Sequence, residues 1–312
     1  VAVGNYALDA LTSGDNNTAV GNLALSAQTT ASDNTAVGYR SLATNIDGAG
    51  ATAVGRDSLY SNTTGTFNTA VGKYALWANT TANSNTAVGY DSLQGNTTAA
   101  DNTAVGRDAL RVNTTGASNT AVGKGALVAN TTADNNTAVG LDAMKLNTTG
   151  AENVAVGTYA LDANTTPSNM TAVGYAALSS NTTGTSSTAF GSHSLAANTT
   201  GGANTAVGKE ALQANTEAGD NTAVGRSALK ANTSGASSAA VGAYALEANT
   251  TGASNTAVGA NALKTNTTGT RIVAIGTNAY DASDTENDNV AIGYDAMTTN
   301  TAGGTRNVAV GN

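Results

Sequence analysis

A glycine returns every 17 residues along this 312-residue chain, from Gly4, Gly21 and Gly38 through to Gly293, with one last interval of 18 residues to Gly311. A period this short and this strict marks a solenoid, one structural unit stacked many times. A repeated surface has no unique cleft, so the same feature argues against an enzyme. The expectation is an all-β fold, a parallel β-solenoid (β-roll) of about eighteen 17-residue rungs. The array reads as one continuous unit over residues 1–312, part of a longer chain or of a polymer.

Composition agrees with narrow stacked strands rather than a conventional core. Aromatics are 4% of residues and 36 residues are Gly, while charged residues are 11%, too few for a highly charged disordered tail. The net charge of −8 disfavours nucleic acid, which needs a basic stripe. There is no cysteine, so disulfides and thiolate metal sites are excluded. No apolar run approaches membrane-spanning length.

Aligning the copies on the period glycine gives each position a physical meaning. The residue two before it is Ala in every copy, and the one just before it is Val, exchanged for Ile275, Ile292 and Phe190. Three before it stands Thr in most copies, exchanged for Val at Val1, Val154, Val273, Val290 and Val308. Thr and Val share a shape and a strand preference, so this segment is extended. Residues two apart on a strand share a face. The Thr and Val positions should therefore point one way and the constant Ala the other. Val would fill a thin interior together with the Leu four after the glycine, and the constant Ala would lie against a close neighbour such as a second chain. The period glycine allows a corner through positive φ. The segment Asn113-Thr114-Thr115-Gly116 and its copies read as a second turn. One buried Val and one buried Leu per rung cannot alone offset the ordering of a whole rung of backbone. Hydrogen bonds between rungs and Asn or Thr ladders must supply the difference.

The segments Asn289 to Gly293 (Asn-Val-Ala-Ile-Gly), Asn153 to Gly157 and Ile272 to Gly276 resemble the head repeats of trimeric autotransporter adhesins, the YadA-like heads. Similar Asn-Thr-Ala-Val-Gly-x-x-Ala-Leu arrays occur in phage, viral and bacterial surface fibres. The resemblance spans the whole chain on a short motif. It implies a left-handed roll, three chains about one axis, an extracellular, cell-surface or virion-surface location, and a role in adhesion or as a fibre shaft. It also implies self-association, as a homotrimer or an end-to-end filament, and a host-surface glycan or protein as partner. The adhesin heads use about fourteen residues per turn, so the Asn-Thr-Thr-Gly turn is an insertion by that measure. No cofactor, nucleic acid or membrane span is expected.

Three features are candidates for function. The first is a row of N-glycosylation sequons in one register, at Asn62, Asn79, Asn96, Asn113, Asn130, Asn147, Asn164, Asn181, Asn198, Asn232, Asn249 and Asn266. It reads either as a row of glycans or as an Asn ladder capping turns; the copy Asn215-Thr216-Glu217 keeps the Asn and loses the sequon. The second is the variable pair after each period glycine, which holds Tyr39, Arg40, Tyr74, Tyr90, Arg107, Tyr159, Tyr175, Tyr244 and Tyr294. It is a ligand-facing stripe or a solvated face that keeps the array soluble. The third is regular Thr, which on a flat outer face could order water and bind ice; exchange with Val places one Thr register inside. His193, the only His, falls in the variable stripe, and no Ser–His–Asp set, carboxylate pair or repeated acidic register stands out. The acidic stretch from Asp281 to Asp288 is a weak cation candidate. The sequence therefore supports an adhesive or structural fibre segment first, a self-assembling filament subunit second and an ice-binding solenoid third.

Overall fold

The computed structural model describes residues 1–282, 285–298 and 304–312. The chain forms two compact units, Val1–Asn153 and Val154–Asn312. The first holds β1 (Ala2–Val3), β2 (Thr18–Val20), β3 (Thr35–Val37), β4 (Thr52–Val54), β5 (Thr69–Val71), β6 (Thr86–Val88), β7 (Thr103–Val105), β8 (Thr120–Val122) and β9 (Thr137–Val139). The second holds β10 (Val154–Val156), β11 (Thr171–Val173), β12 (Thr188–Phe190), β13 (Thr205–Val207), β14 (Thr222–Val224), β15 (Ala239–Val241), β16 (Thr256–Val258), β17 (Val273–Ile275), β18 (Val290–Ile292) and β19 (Val308–Val310).

Within each unit every strand pairs in parallel with the next, and partners lie one period apart, as in Thr69 with Thr86 and Val71 with Val88. β18 and β19 pair Val290 with Val308, so the extra residue of the last interval falls outside the strands. Among the described residues there is no helix. This is the parallel β-solenoid that the period predicts.

The strand faces are the reverse of the sequence expectation. The constant Ala points inward and is fully buried, from Ala19 to Ala291. Val and its substitutes point outward: Val105 is 37% exposed, Ile275 39% and Phe190 56%. The Thr positions share that outer side and are half-buried, or exposed at Thr188 and Thr222. Ala is constant because the wall at that point must approach the turn side of its own rung, and a methyl is what the space takes. The expected inward Leu is confirmed, with Leu59, Leu76, Leu93 and Leu110 fully buried. The position three after the glycine is small for the same reason. Ala75 and Ala109 are fully buried there, and where Ser stands, as at Ser58, its Oγ donates to the Gly55 carbonyl at 3.0 Å.

The rest of the interior is polar, in two asparagine columns. Asn113 Nδ2 donates to Asn96 Oδ1 at 3.1 Å and to the Gly116 carbonyl at 2.8 Å, and its own Oδ1 accepts from Asn130 Nδ2 at 2.9 Å. In the second column Asn102 Nδ2 donates to the same Gly116 carbonyl at 2.9 Å, and Asn102 Oδ1 accepts the Asn119 backbone N–H at 2.9 Å. The turn therefore folds inward because its carbonyl is held by two amides. Buried polar groups cost little when their partners are present, and stacking similar rungs supplies those partners along the column as far as Asn266, whose Oδ1 has none among the described residues. Buried Ala51, Met170 and Ile272 interrupt the second column, while other departures keep the pattern. Gln28 replaces an Asn and donates to the Ala31 carbonyl at 2.7 Å while its Oε1 accepts from Asn34 and Asn45. Tyr280 replaces a Leu, and its hydroxyl accepts from Asn289 Nδ2 at 2.6 Å.

Between the strand and this turn the backbone repeatedly adopts positive φ at residues other than glycine. Asp57 (φ 58) and Leu59 (φ 47) are typical, two and four residues after a period glycine. Such a conformation in a bulky residue is strained. It is offset by axial hydrogen bonds: the Asp57 N–H donates to the Tyr39 carbonyl at 2.9 Å and the Leu59 N–H to the Ala75 carbonyl at 3.0 Å, in the preceding and following rungs.

Candidate functional site

The sequon register is interior. All twelve of its asparagines, Asn62 through Asn266, are fully buried. The Nδ2 that a glycan would occupy is committed to the ladder, as in Asn79 to Asn62 Oδ1 at 2.8 Å and Asn249 to Asn232 Oδ1 at 2.8 Å. The ladder reading describes the folded chain, and a row of glycans at this register does not fit it. Asn16, Asn135 and Asn169, which carry sequons in another register, are exposed.

The stripe after the period glycines lies on the outside, but it is broken into local clusters. In the first unit Tyr39 and Tyr90 are exposed and Tyr74 is half-buried. The Lys73 ammonium sits 4.8 Å from the Tyr74 ring centre and 5.7 Å from that of Tyr90. Arg107 pairs with its neighbour Asp108 at 3.1 Å. In the second unit Tyr159 and Tyr175 meet edge to face with centroids 6.2 Å apart, and the His193 ring, half-buried rather than free, lies 5.1 Å from Tyr175. Tyr244 lies under Arg226 at 4.4 Å and Lys264 at 5.1 Å, and Tyr294 is exposed.

One cluster extends beyond the stripe. The Arg40 guanidinium lies 5.0 Å from the Tyr39 ring and 4.9 Å from the Tyr60 ring. Its Nε donates to Asp57 Oδ1 at 2.8 Å, and the Arg56 Nε donates to Asp57 Oδ2 at 3.0 Å. The Asp57 carboxylate is buried beneath both, and its hydrogen bond holds the Arg40 guanidinium above its ordinary pKa, so that charge is permanent. On the next rung Trp77 stacks parallel to Tyr60, with an interplanar angle of 8° and centroids 6.3 Å apart. Tyr60 and Trp77 were not among the residues the sequence singled out. A signal existed, since both stand five residues after a period glycine in successive copies, and Trp77 is the only Trp.

Acidic groups are scattered. Burial pushes the Asp91 carboxyl above its ordinary value, with the Asp108 carboxylate one rung on adding to the shift. Lys230 and Lys209, which bond the Glu210 carboxylate, hold it below its ordinary value. Residues 283 and 284 of the acidic stretch lie outside the described residues; within it, Arg271 bonds Asp288 through Nε and Nη2 at 2.6 and 3.0 Å and lowers its pKa. Among the described residues no three His, Cys, Asp or Glu side chains group as a metal site, and no helix is long and apolar enough to cross a membrane. No family model matches the chain, and no curated protein sequence matches it.

Proposed function

We propose that this chain is a structural segment of an extracellular fibre or adhesin, a stiff repeat array that self-associates and presents a side surface for attachment. The observation that carries the reading is the outer strand face. In each unit it offers one column of half-exposed Val, Ile or Phe and one column of Thr or Val, broken once by Ala239, with no charged residue at any described strand position. An uncharged apolar column of this regularity is costly to leave in water and fits a second copy of itself. The close neighbour expected against the constant Ala thus belongs against Val instead. A cell-surface or virion-surface location and assembly as a homotrimer are parts of the same proposal; a self-assembling filament is its variant.

Mass in solution, with electron microscopy of the same sample, tests it. A three-chain mass at all working concentrations supports the fibre segment, and mass growing with concentration supports the filament. Val71→Lys with Val105→Lys places two charges on the face, and the mass should fall to that of one chain while the melting temperature stays within a few degrees, as for surface changes. A single-chain mass in the unsubstituted protein sinks the assembly reading.

A second reading gains from the same face. Eight successive threonines, Thr18 to Thr137, stand in register in the first unit, and their hydroxyls make no hydrogen bond among the described residues. The other Thr column is consumed, as in Thr114 Oγ1 to the Thr131 carbonyl at 3.0 Å. The Thr register that exchange with Val predicts to be inside is therefore outside, beside methyl groups, as an ice-ordering surface requires. Thermal hysteresis of the single chain, abolished by Thr86→Lys, is the expected result of that reading; freezing at the equilibrium melting point excludes it.

A further inference from the structure

We propose that Tyr39, Arg40, Arg56, Tyr60 and Trp77, braced by Asp57, form a binding site for an acidic carbohydrate, a sugar chain bearing carboxylate or sulfate. The proposal names a partner class for the attachment role above and rests on that role only for its biological setting.

Repetition is the first ground. Nearly everything in this array recurs because the fold requires it. The cluster does not recur. At the place of Tyr60 and Trp77 other copies carry Ser26, Ala43, Gln94, Val128 or Ala196, with the same strand pairing on either side. The fold therefore does not need aromatic rings there. Yet six of the chain's 13 aromatic residues fall between Tyr39 and Tyr90.

Chemistry is the second. Trp77 is 39% exposed and parallel to Tyr60 across adjacent rungs, which gives two aromatic rings held at one tilt along the side of the first unit. Aromatic rings bury the C–H faces of sugars while polar groups at their edges bind hydroxyls. Those polar groups are present and uncommitted. Arg40 and Arg56 each spend Nε on Asp57, and their terminal Nη groups make no hydrogen bond among the described residues. Held by a buried carboxylate and by the rings of Tyr39 and Tyr60, the guanidiniums have already lost much of the freedom that binding would otherwise remove. A planar fork of free N–H groups matches a carboxylate or sulfate.

Charge is the third. Two guanidiniums against one carboxylate leave the cluster positive within a chain of formal net charge −8. A neutral sugar would leave that charge unused. A nucleic acid would meet the acidic remainder of the chain beyond the cluster.

Trp77 is the only tryptophan, so its fluorescence reports this site alone. The experiment titrates the full chain with an oligogalacturonate and with a sulfated hexasaccharide, alongside neutral maltohexaose and a single-stranded oligothymidylate. A saturable change in Trp77 emission with either acidic sugar is expected, at least tenfold tighter than with maltohexaose or oligothymidylate. The carboxylate and sulfate arms tell which anion is preferred. Tyr60→Ala and Arg56→Gln should each weaken binding tenfold or more, and Arg271→Gln, outside both the cluster and the stripe and paired with Asp288, should leave it unchanged. Ala43 and Ala196 stand at the corresponding place, so Tyr60→Ala should fold. The site is refuted by unaltered emission up to millimolar acidic sugar, by equal binding of maltohexaose or oligothymidylate, or by undiminished binding in Tyr60→Ala. Mass measured on the same samples separates the two proposals. Assembly without binding removes this site and leaves the fibre, and binding by a single-chain species does the reverse.

Discussion

Replacing Gly106 by alanine should destabilise the chain by about 3–5 kcal/mol, a large effect for the addition of one methyl group. Gly106 has φ +139, a conformation that L side chains rarely adopt, which alone costs about 1–3 kcal/mol. An added Cβ would also stand 2.5 Å from the Gly123 oxygen and 2.6 Å from its carbonyl carbon. Both are backbone atoms of the next rung, so no side chain can rotate away. The rungs would have to part there, against the Gly123 N–H bond to the Val105 carbonyl at 2.8 Å. Gly116→Ala is the control. Its Cβ would come closer still to a backbone oxygen, that of Ala133, and against Asn113 Oδ1, but its φ is not positive, and Ala82, Ala99 and Ala133 fill the same turn place in other rungs, so this turn can shift to take a methyl. It should cost no more than about 1 kcal/mol, the room that a small shift of the turn requires. Chemical denaturation of the two variants compares them directly. Equal costs would mean that the glycine period reflects something other than stacking of rung on rung. Because each rung touches only its neighbours, amide exchange should speed most around Gly106 and Gly123.

Asn113→Asp should be worse than any other single change in the ladder, at about 3–5 kcal/mol near neutral pH. The amide that donates to Asn96 Oδ1 and the Gly116 carbonyl becomes an acceptor facing two acceptors, buried and without a cation. Burial and those oxygens raise the pKa of the new carboxyl in the folded state. The sign follows: stability relative to the parent chain is highest below the ordinary carboxyl value, where the neutral acid can still donate one bond, and is lost as pH rises through the raised value. Asn113→Gln should cost less, since Gln28 already spans the equivalent bonds. Thermal melts of both variants across pH 3–8 decide it. A cost for Asn113→Asp that does not change with pH would show that the ladder amide is not held in the dry interior.

Much of this architecture could be read from residue order. The period gave the parallel stack and its register, the glycine its corner, the Asn-Thr-Thr-Gly segment its second turn, and the recurring Leu its inward direction. Each is local or repeats so strictly that one rung stands for all. The direction of the strand was misread. Alternation says that Thr and Val share one side and Ala the other, but not which side is in. A strand of three residues offers two apolar choices, and Val wins on hydrophobicity alone. What overrules it is volume. The interior already holds Leu and two asparagine columns, and only a methyl fits beside them.

The candidate site was legible in part for the same reason. The Tyr and Arg stripe beside the glycines was visible as a variable column. Tyr60 and Trp77 join it only because the chain at the fifth position turns outward, a direction set by the positive φ of Asp57 and Leu59 and by the axial bonds that hold them. No residue preference announces a left-handed Leu. The sequence by itself determined that identical units stack, and how far apart along the chain each contact repeats. The tertiary structure alone decided which side of each unit is inside, because that depends on how much volume one closed rung can hold.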